Sequence, residues 1–123
     1  IVRHAAEAAG AGHKFRFERG YPVLRNTPEE MKFAAGVAQE IVGHAHVDAA
    51  MQPIMGAEDF AFMLGKVPGC YVFLSSGRPG EEAAPRPLHN PRYDFNDEII
   101  PTGVRYWTTL AERYLKEASA TGR

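Results

Sequence analysis

One cysteine, Cys70, stands in 123 residues, so no internal disulfide can staple this chain, and the composition fits a reducing compartment, the cytoplasm. No apolar run approaches the roughly 20 residues needed to span a bilayer. No basic-then-apolar leader opens the chain. Neither sign of charge dominates: 14 Lys and Arg against 15 Asp and Glu leave a net charge of −1. Nucleic acid and anionic membrane surfaces are therefore not expected as partners. A phosphate-cradling glycine-lysine loop, a paired-cysteine zinc spacing and a Ser, His and Asp order for acyl transfer are all missing. No internal repeat is visible. What remains is ordinary globular composition, 45% hydrophobic and 24% charged, in a length that suits one small domain. The first residues, Ile1-Val2-Arg3, are already in a helical pattern, and we expect the chain to be the C-terminal part of a longer polypeptide.

Periodicity predicts an α/β arrangement, a sheet flanked by helices. Ile1 to Ala11 is alanine-rich and ends at Gly10 and Gly12, the close of a helix. His13 to Arg19 alternates, with Phe15 and Phe17 on one side, as a half-buried antiparallel strand does. Gly20-Tyr21-Pro22 ends it, and a domain boundary is placed after residue 22. Thr27-Pro28-Glu29-Glu30 predicts a helix start, with Thr27 as N-cap and Glu30 closing a capping box. Met31, Ala34, Ala35, Ala38, Ile41 and Val42 follow at helical spacing up to Gly43. Val47 to Met51 reads as a short strand and 57–66 as a short helix. Cys70 to Leu74 is an apolar run with the look of a strand covered on both faces. Ile100, Val104, Trp107, Ala111 and Tyr114 mark the core face of a long helix ending near Ser119.

The chemistry is concentrated in Leu88-His89-Asn90-Pro91-Arg92-Tyr93-Asp94-Phe95-Asn96-Asp97. The stretch is too polar for a core, yet its aromatics argue for a pinned loop, and it follows the Pro/Gly-rich segment from Gly77 to Pro87. Held loops are where ligand-handling residues sit. His89 is the candidate metal ligand, weighed against a plain surface histidine after a turn. His44 and His46, two apart, are a weaker pair, because polar residues are expected at a helix exit. Gly56-Ala57-Glu58-Asp59 stands where a loop becomes a helix, so free amides there suit an anion. Equally, Glu58 and Asp59 complement the dipole of their own helix. Cys70 lacks a basic neighbour and reads as an inert thiol.

Two separated blocks now carry a resemblance. Pro53-Ile54-Met55-Gly56-Ala57-Glu58-Asp59-Phe60-Ala61 resembles a segment of the metallo-amidohydrolases that include hippurate hydrolase, N-acyl-amino-acid amidohydrolases and indole-acetyl-amino-acid hydrolases. Leu88-His89-Asn90-Pro91, followed by Tyr93 to Glu98, is similar to the last block of the same family. Tyr106-Trp107 and the Arg19-Gly20-Tyr21-Pro22 corner also fall where that family carries them.

The resemblance implies that residues 1–22 end a lid or dimerisation domain and that 23–123 form the C-terminal part of a catalytic domain with a mixed sheet. It implies that His89 is a metal ligand, and that Met55, Gly56 and Ala57 lie near a bound acyl-amino acid. Ala57 departs from the family's usual serine. The family's other ligands and its glutamate base lie upstream, so no catalytic residue is expected in this chain. The implied cofactor is a divalent metal, zinc or manganese, in the full-length protein and not in the isolated chain. The implied substrate is a small N-acyl amino acid, and the implied assembly is a homodimer through the lid. A sibling metallo-exopeptidase or deacetylase, or a non-catalytic domain of the same fold, are the alternatives.

Overall fold

Thr27 and Pro28 set the first firm element. Proline disfavours helical backbone in the residue before it, and Thr27 is extended at φ −73° and ψ 132°. Pro28 then supplies the first helical turn, where its missing N–H is no loss. The helix α2 runs Pro28–Val42 and stops at Gly43, whose φ of 85° most side chains avoid. A 3-10 turn, His44–His46, follows it. The other helices are α1 (Val2–Ala8), α3 (Phe60–Leu64) and α4 (Ile100–Thr121), the last entered through a second 3-10 turn, Asp97–Ile99; of these, α4 packs against α2. The computed structural model describes residues 1–78 and 88–121. Among these, no helix is long and apolar enough to cross a membrane.

The core lies between α2 and α4. Val37 is fully buried, beside a nearly buried Ala34. Enclosing a valine side chain stabilises by roughly 1.5–3 kcal/mol relative to leaving it in water. The Tyr106 hydroxyl donates to the Ala34 carbonyl at 3.4 Å, and the Phe33 and Tyr114 rings meet edge-on with centroids 6.1 Å apart. Arg113 pairs with Glu40 across the same junction. α4 meets the 70–74 segment at Gly103, where even a Cβ would make ordinary contact, 3.5 Å from Leu74 Cδ2.

The expected sheet is absent: the described residues hold α-helices and 3-10 turns and no strand. The segments 13–19, 47–51 and 70–74 were all expected as strands, and none is one. A strand exists only through the ladder it shares, and alternation or apolar content cannot supply the second strand. At 70–74 a side chain does part of that work instead. Asn26 Nδ2 donates to the Tyr71 carbonyl at 2.9 Å, and the Tyr71 N–H donates to Asn26 Oδ1 at 2.8 Å. One amide thus answers both polar groups of Tyr71, as a neighbouring strand would. The Thr27 N–H donates to the Gly69 carbonyl at 2.9 Å, extending the attachment. Beyond Tyr71 this backbone pairing ends, and Val72, Phe73 and Leu74 are exposed.

Two finer expectations also change. Thr27 occupies the N-cap but makes no side-chain cap bond; its Oγ1 accepts from the Gly69 N–H at 3.1 Å instead. The capping box therefore does not close, and Glu30 Oε2 is enclosed without a hydrogen-bond partner among the described residues. Trp107, expected in the core, is 64% exposed. It stands at the rim of an apolar groove of about 790 Å³ lined by Met31, Ala38, Val47, Val72 and Leu74. Val104 and Trp107 of that stripe are exposed, so helical spacing alone misassigned them.

Candidate functional site

The His89 loop is built from short-range turns and then tied to its neighbours. Asn90 starts the turn: its carbonyl accepts from the Tyr93 N–H at 2.9 Å and its Oδ1 from the Arg92 N–H at 2.9 Å. Pro91 fits the second position of such a turn because its φ is already fixed. Asn96, buried, accepts from the Glu98 N–H at 3.1 Å and so directs the chain into α4. Two ties run back to the 75–78 segment. The Tyr93 hydroxyl donates to Ser76 Oγ at 3.3 Å, and Arg78 reaches Asp94 Oδ2 at 3.1 Å and the Phe95 carbonyl at 3.4 Å.

His89 itself has φ 73°, the single positive φ outside glycine among the described residues. Left-handed backbone costs a non-glycine residue roughly 1–2 kcal/mol. Such an outlier persists where surrounding structure over-determines it, and it marks candidate functional positions. The ring is exposed, and among the described residues nothing hydrogen-bonds it. Asp94, five residues on, pairs with Arg78. Residues 79–87, most of the expected Pro/Gly-rich loop, lie outside the described residues.

Met55, Gly56 and Ala57 form an exposed turn. The Gly56 N–H donates to the Ile54 carbonyl at 3.0 Å, and a Cβ on Gly56 would meet nothing within 4 Å. The turn is anchored by its neighbour Glu58. Glu58 Oε1 accepts from the Phe60 N–H at 3.1 Å, and Oε2 accepts from the Tyr71 hydroxyl at 3.0 Å. The Phe60 amide, the Asp59 side chain and the Tyr71 hydroxyl hold the Glu58 carboxyl below the usual glutamate range. The same bond pushes the Tyr71 hydroxyl up, because the carboxylate prefers a donor that keeps its proton. An anion at the start of α3 thus finds the Phe60 amide already taken. Tyr71 and Asn26 went unnoticed in the sequence, where Tyr71 was one apolar position of five and Asn26 lay just before the Thr27-Pro28 helix start.

The metal reading meets a clear limit. Among the described residues no three His, Cys, Asp or Glu side chains gather to hold an ion. His89 can offer one imidazole nitrogen, and a catalytic centre needs about three protein ligands. These residues do not by themselves fit a metal. His44 and His46 lie exposed on a 3-10 turn rather than sharing a strand face. Cys70 is half-buried, and burial first, then Glu30, raises its thiol. No hydrogen bond or ring contact joins the 55–57 turn directly to His89 among the described residues. The connection runs through residues 69–78, held by Glu58 at one end and by Tyr93 and Asp94 at the other.

Comparison with known proteins places this geometry in context. Residues 9–113 match the sequence profile described as Peptidase family M20/M25/M40. A probable hydrolase of Synechocystis is 30% identical over 119 residues, covering 90% of this chain and 30% of the relative. Hippurate hydrolase of Campylobacter jejuni is 35% identical over 95 residues, covering 77% of this chain and 23% of its own. An IAA-amino acid hydrolase of Arabidopsis thaliana is 30% identical over 101 residues, covering 82% and 22%. The chain spans less than a third of the length of these curated relatives. No solved structure matches it.

Proposed function

Because this chain belongs to peptidase family M20/M25/M40, we propose that it is the C-terminal part of a metal-dependent amidohydrolase that cleaves the amide bond of N-acyl amino acids. The names of the relatives, hippurate hydrolase and IAA-amino acid hydrolase, support that substrate class. His89 would lend one imidazole nitrogen to a divalent metal, zinc or manganese. The remaining donors and the general base come from the part of the relatives' length that this chain does not cover. The chemistry such a metal would supply is polarisation of the scissile carbonyl and a water of lowered pKa. The Met55-Gly56-Ala57 turn faces the acyl-amino acid, and residues 1–22 belong to a lid through which two subunits pair.

The observation that carries this reading is His89 itself: exposed, left-handed at φ 73°, and set in a loop whose neighbours are tied to residues 76 and 78. The test is His89→Ala in the full-length protein, with metal content and hippurate hydrolysis measured together. Loss of an orienting partner alone costs roughly 10–100-fold in metal affinity or activity, and loss of a ligand should cost at least that. Unchanged metal content and turnover would reject the assignment. The family's description as a peptidase supports a second reading, a sibling metallo-exopeptidase or deacetylase. A panel of dipeptides and N-acyl amino acids separates the two.

A further inference from the structure

We propose that Glu58 is a positioning residue, acting through Tyr71 to fix the Met55-Gly56-Ala57 turn relative to the segment that leads to the His89 loop. The inference rests on the reading of that turn as substrate-facing. It goes further by naming what holds the turn in place.

The argument begins with what the turn lacks. Met55 and Gly56 have no packing of their own; Met55 is fully exposed and the space beside Gly56 is open. The short helix that follows, Phe60–Leu64, buries one residue, Ala61. Such a turn would wander unless something tied it down. Glu58 is that tie, because its two oxygens are used separately. Oε1 takes the Phe60 N–H and fixes the start of α3, while Oε2 takes the Tyr71 hydroxyl. The Phe60 and Tyr71 rings lie with centroids 5.7 Å apart, bracing the same junction.

Tyr71 is itself immobilised, so the tie has a fixed far end. Asn26 holds its backbone on both sides, and the Phe73 ring meets its ring edge-on at 5.3 Å. Five residues on, Ser76 receives the Tyr93 hydroxyl from the His89 loop. Residues 71–76 therefore act as a spacer between the candidate substrate turn and the candidate metal ligand. A misplacement of about 1 Å in such a spacing is enough to cost up to roughly a hundredfold in rate. Glu58 works here by geometry, not by proton transfer: its carboxylate is occupied by two donors.

The test uses full-length protein with hippurate as substrate. Glu58→Ala and Tyr71→Phe should each raise KM by roughly tenfold with metal content unchanged. The double variant should be no worse than the worse single one, since both cut the same tie. Glu58→Gln should recover most of the loss: its carbonyl can still accept from the Phe60 N–H, and its amide can donate to the Tyr71 oxygen. KM values for Glu58→Ala and Tyr71→Phe within about twofold of the parent would overturn the inference. So would a Glu58→Gln variant as damaged as Glu58→Ala, which would assign the role to the charge. Should Glu58→Ala fail to fold, Tyr71→Phe and Glu58→Gln carry the test, because each keeps the side-chain volume. The His89→Ala result is independent. Flat KM values beside a lost metal in that variant sink the positioning role and leave the wider reading standing.

Discussion

Asn26 makes the sharpest stability test, because one small side chain replaces a missing strand. Its amide donates to the Tyr71 carbonyl and accepts from the Tyr71 N–H, at 2.9 Å and 2.8 Å. Each bond contributes a net of about 0.5–1.5 kcal/mol, so Asn26→Ala should cost about 1–3 kcal/mol. Asn26→Asp is more discriminating. Aspartate keeps an oxygen for the Tyr71 N–H but loses the donor, and it sets a negative charge beside the Tyr71 carbonyl. At neutral pH it should therefore be no more stable than the alanine variant. At a pH below its own pKa the carboxyl gains a proton, can donate again, and should recover part of the loss. Equilibrium denaturation of the parent and both variants at the two pH values, followed by far-ultraviolet circular dichroism, reads the differences directly. A loss under about 0.5 kcal/mol for Asn26→Ala would refute the reasoning. Equal stability of the aspartate variant and the parent at neutral pH would refute it too.

Two further outcomes follow from the same surfaces. The carboxyl of Glu58 titrates below its ordinary 4.5, so its contribution is whole above 4.5 and fades as pH falls through the lowered value. Tyr71 titrates above its ordinary 10.0, so its contribution is whole below 10.0 and fades as pH rises through the raised value. Tyr71→Phe should abolish the alkaline edge and shrink the acid one, since the Phe60 amide still holds Glu58; superimposable pH–stability profiles would refute this. Separately, Phe15, Phe17, Val72, Phe73 and Leu74 are exposed beside backbone without ladder partners. These exposed apolar segments should pair with a second copy of the chain, so elution from a sizing column should shift with concentration. A strict monomer at every concentration would count against it.

The helices were legible in the sequence because helical structure is local. Thr27-Pro28 and Gly43 bound α2 as expected, and the long C-terminal helix spans Ile100–Thr121 against an expected end near Ser119. Their hydrogen bonds close within the element, so propensity and end signals suffice. The strands failed for the opposite reason. Cys70 to Leu74 has the composition of a buried strand, but a ladder needs a second segment, and composition cannot say whether one is present. The Trp107 stripe misled in the same way: periodicity shows that a face is apolar, not that something covers it. In the groove the two errors meet, since the unpaired 70–74 segment and Trp107 of α4 both line it beside α2.

The site divides along the same line. His89 could be singled out because a polar, proline-punctuated loop is a local pattern, and its left-handed backbone adds weight that no sequence reading could have supplied. The pair that holds the neighbouring turn could not be seen. Glu58 and Tyr71 are thirteen positions apart, and each has a plain local explanation, a helix-dipole carboxylate and a strand aromatic. Only the fold shows that the carboxylate divides its oxygens between the helix start and a distant hydroxyl. That division also bears on what the turn can bind. A carboxylate already satisfied by two donors has little need of a third partner, so an incoming anionic substrate meets it as a fixed negative charge. For the proposed acyl-amino acid substrate, the carboxylate would then have to be neutralised from elsewhere, and the 55–57 turn would better suit the uncharged part of the molecule.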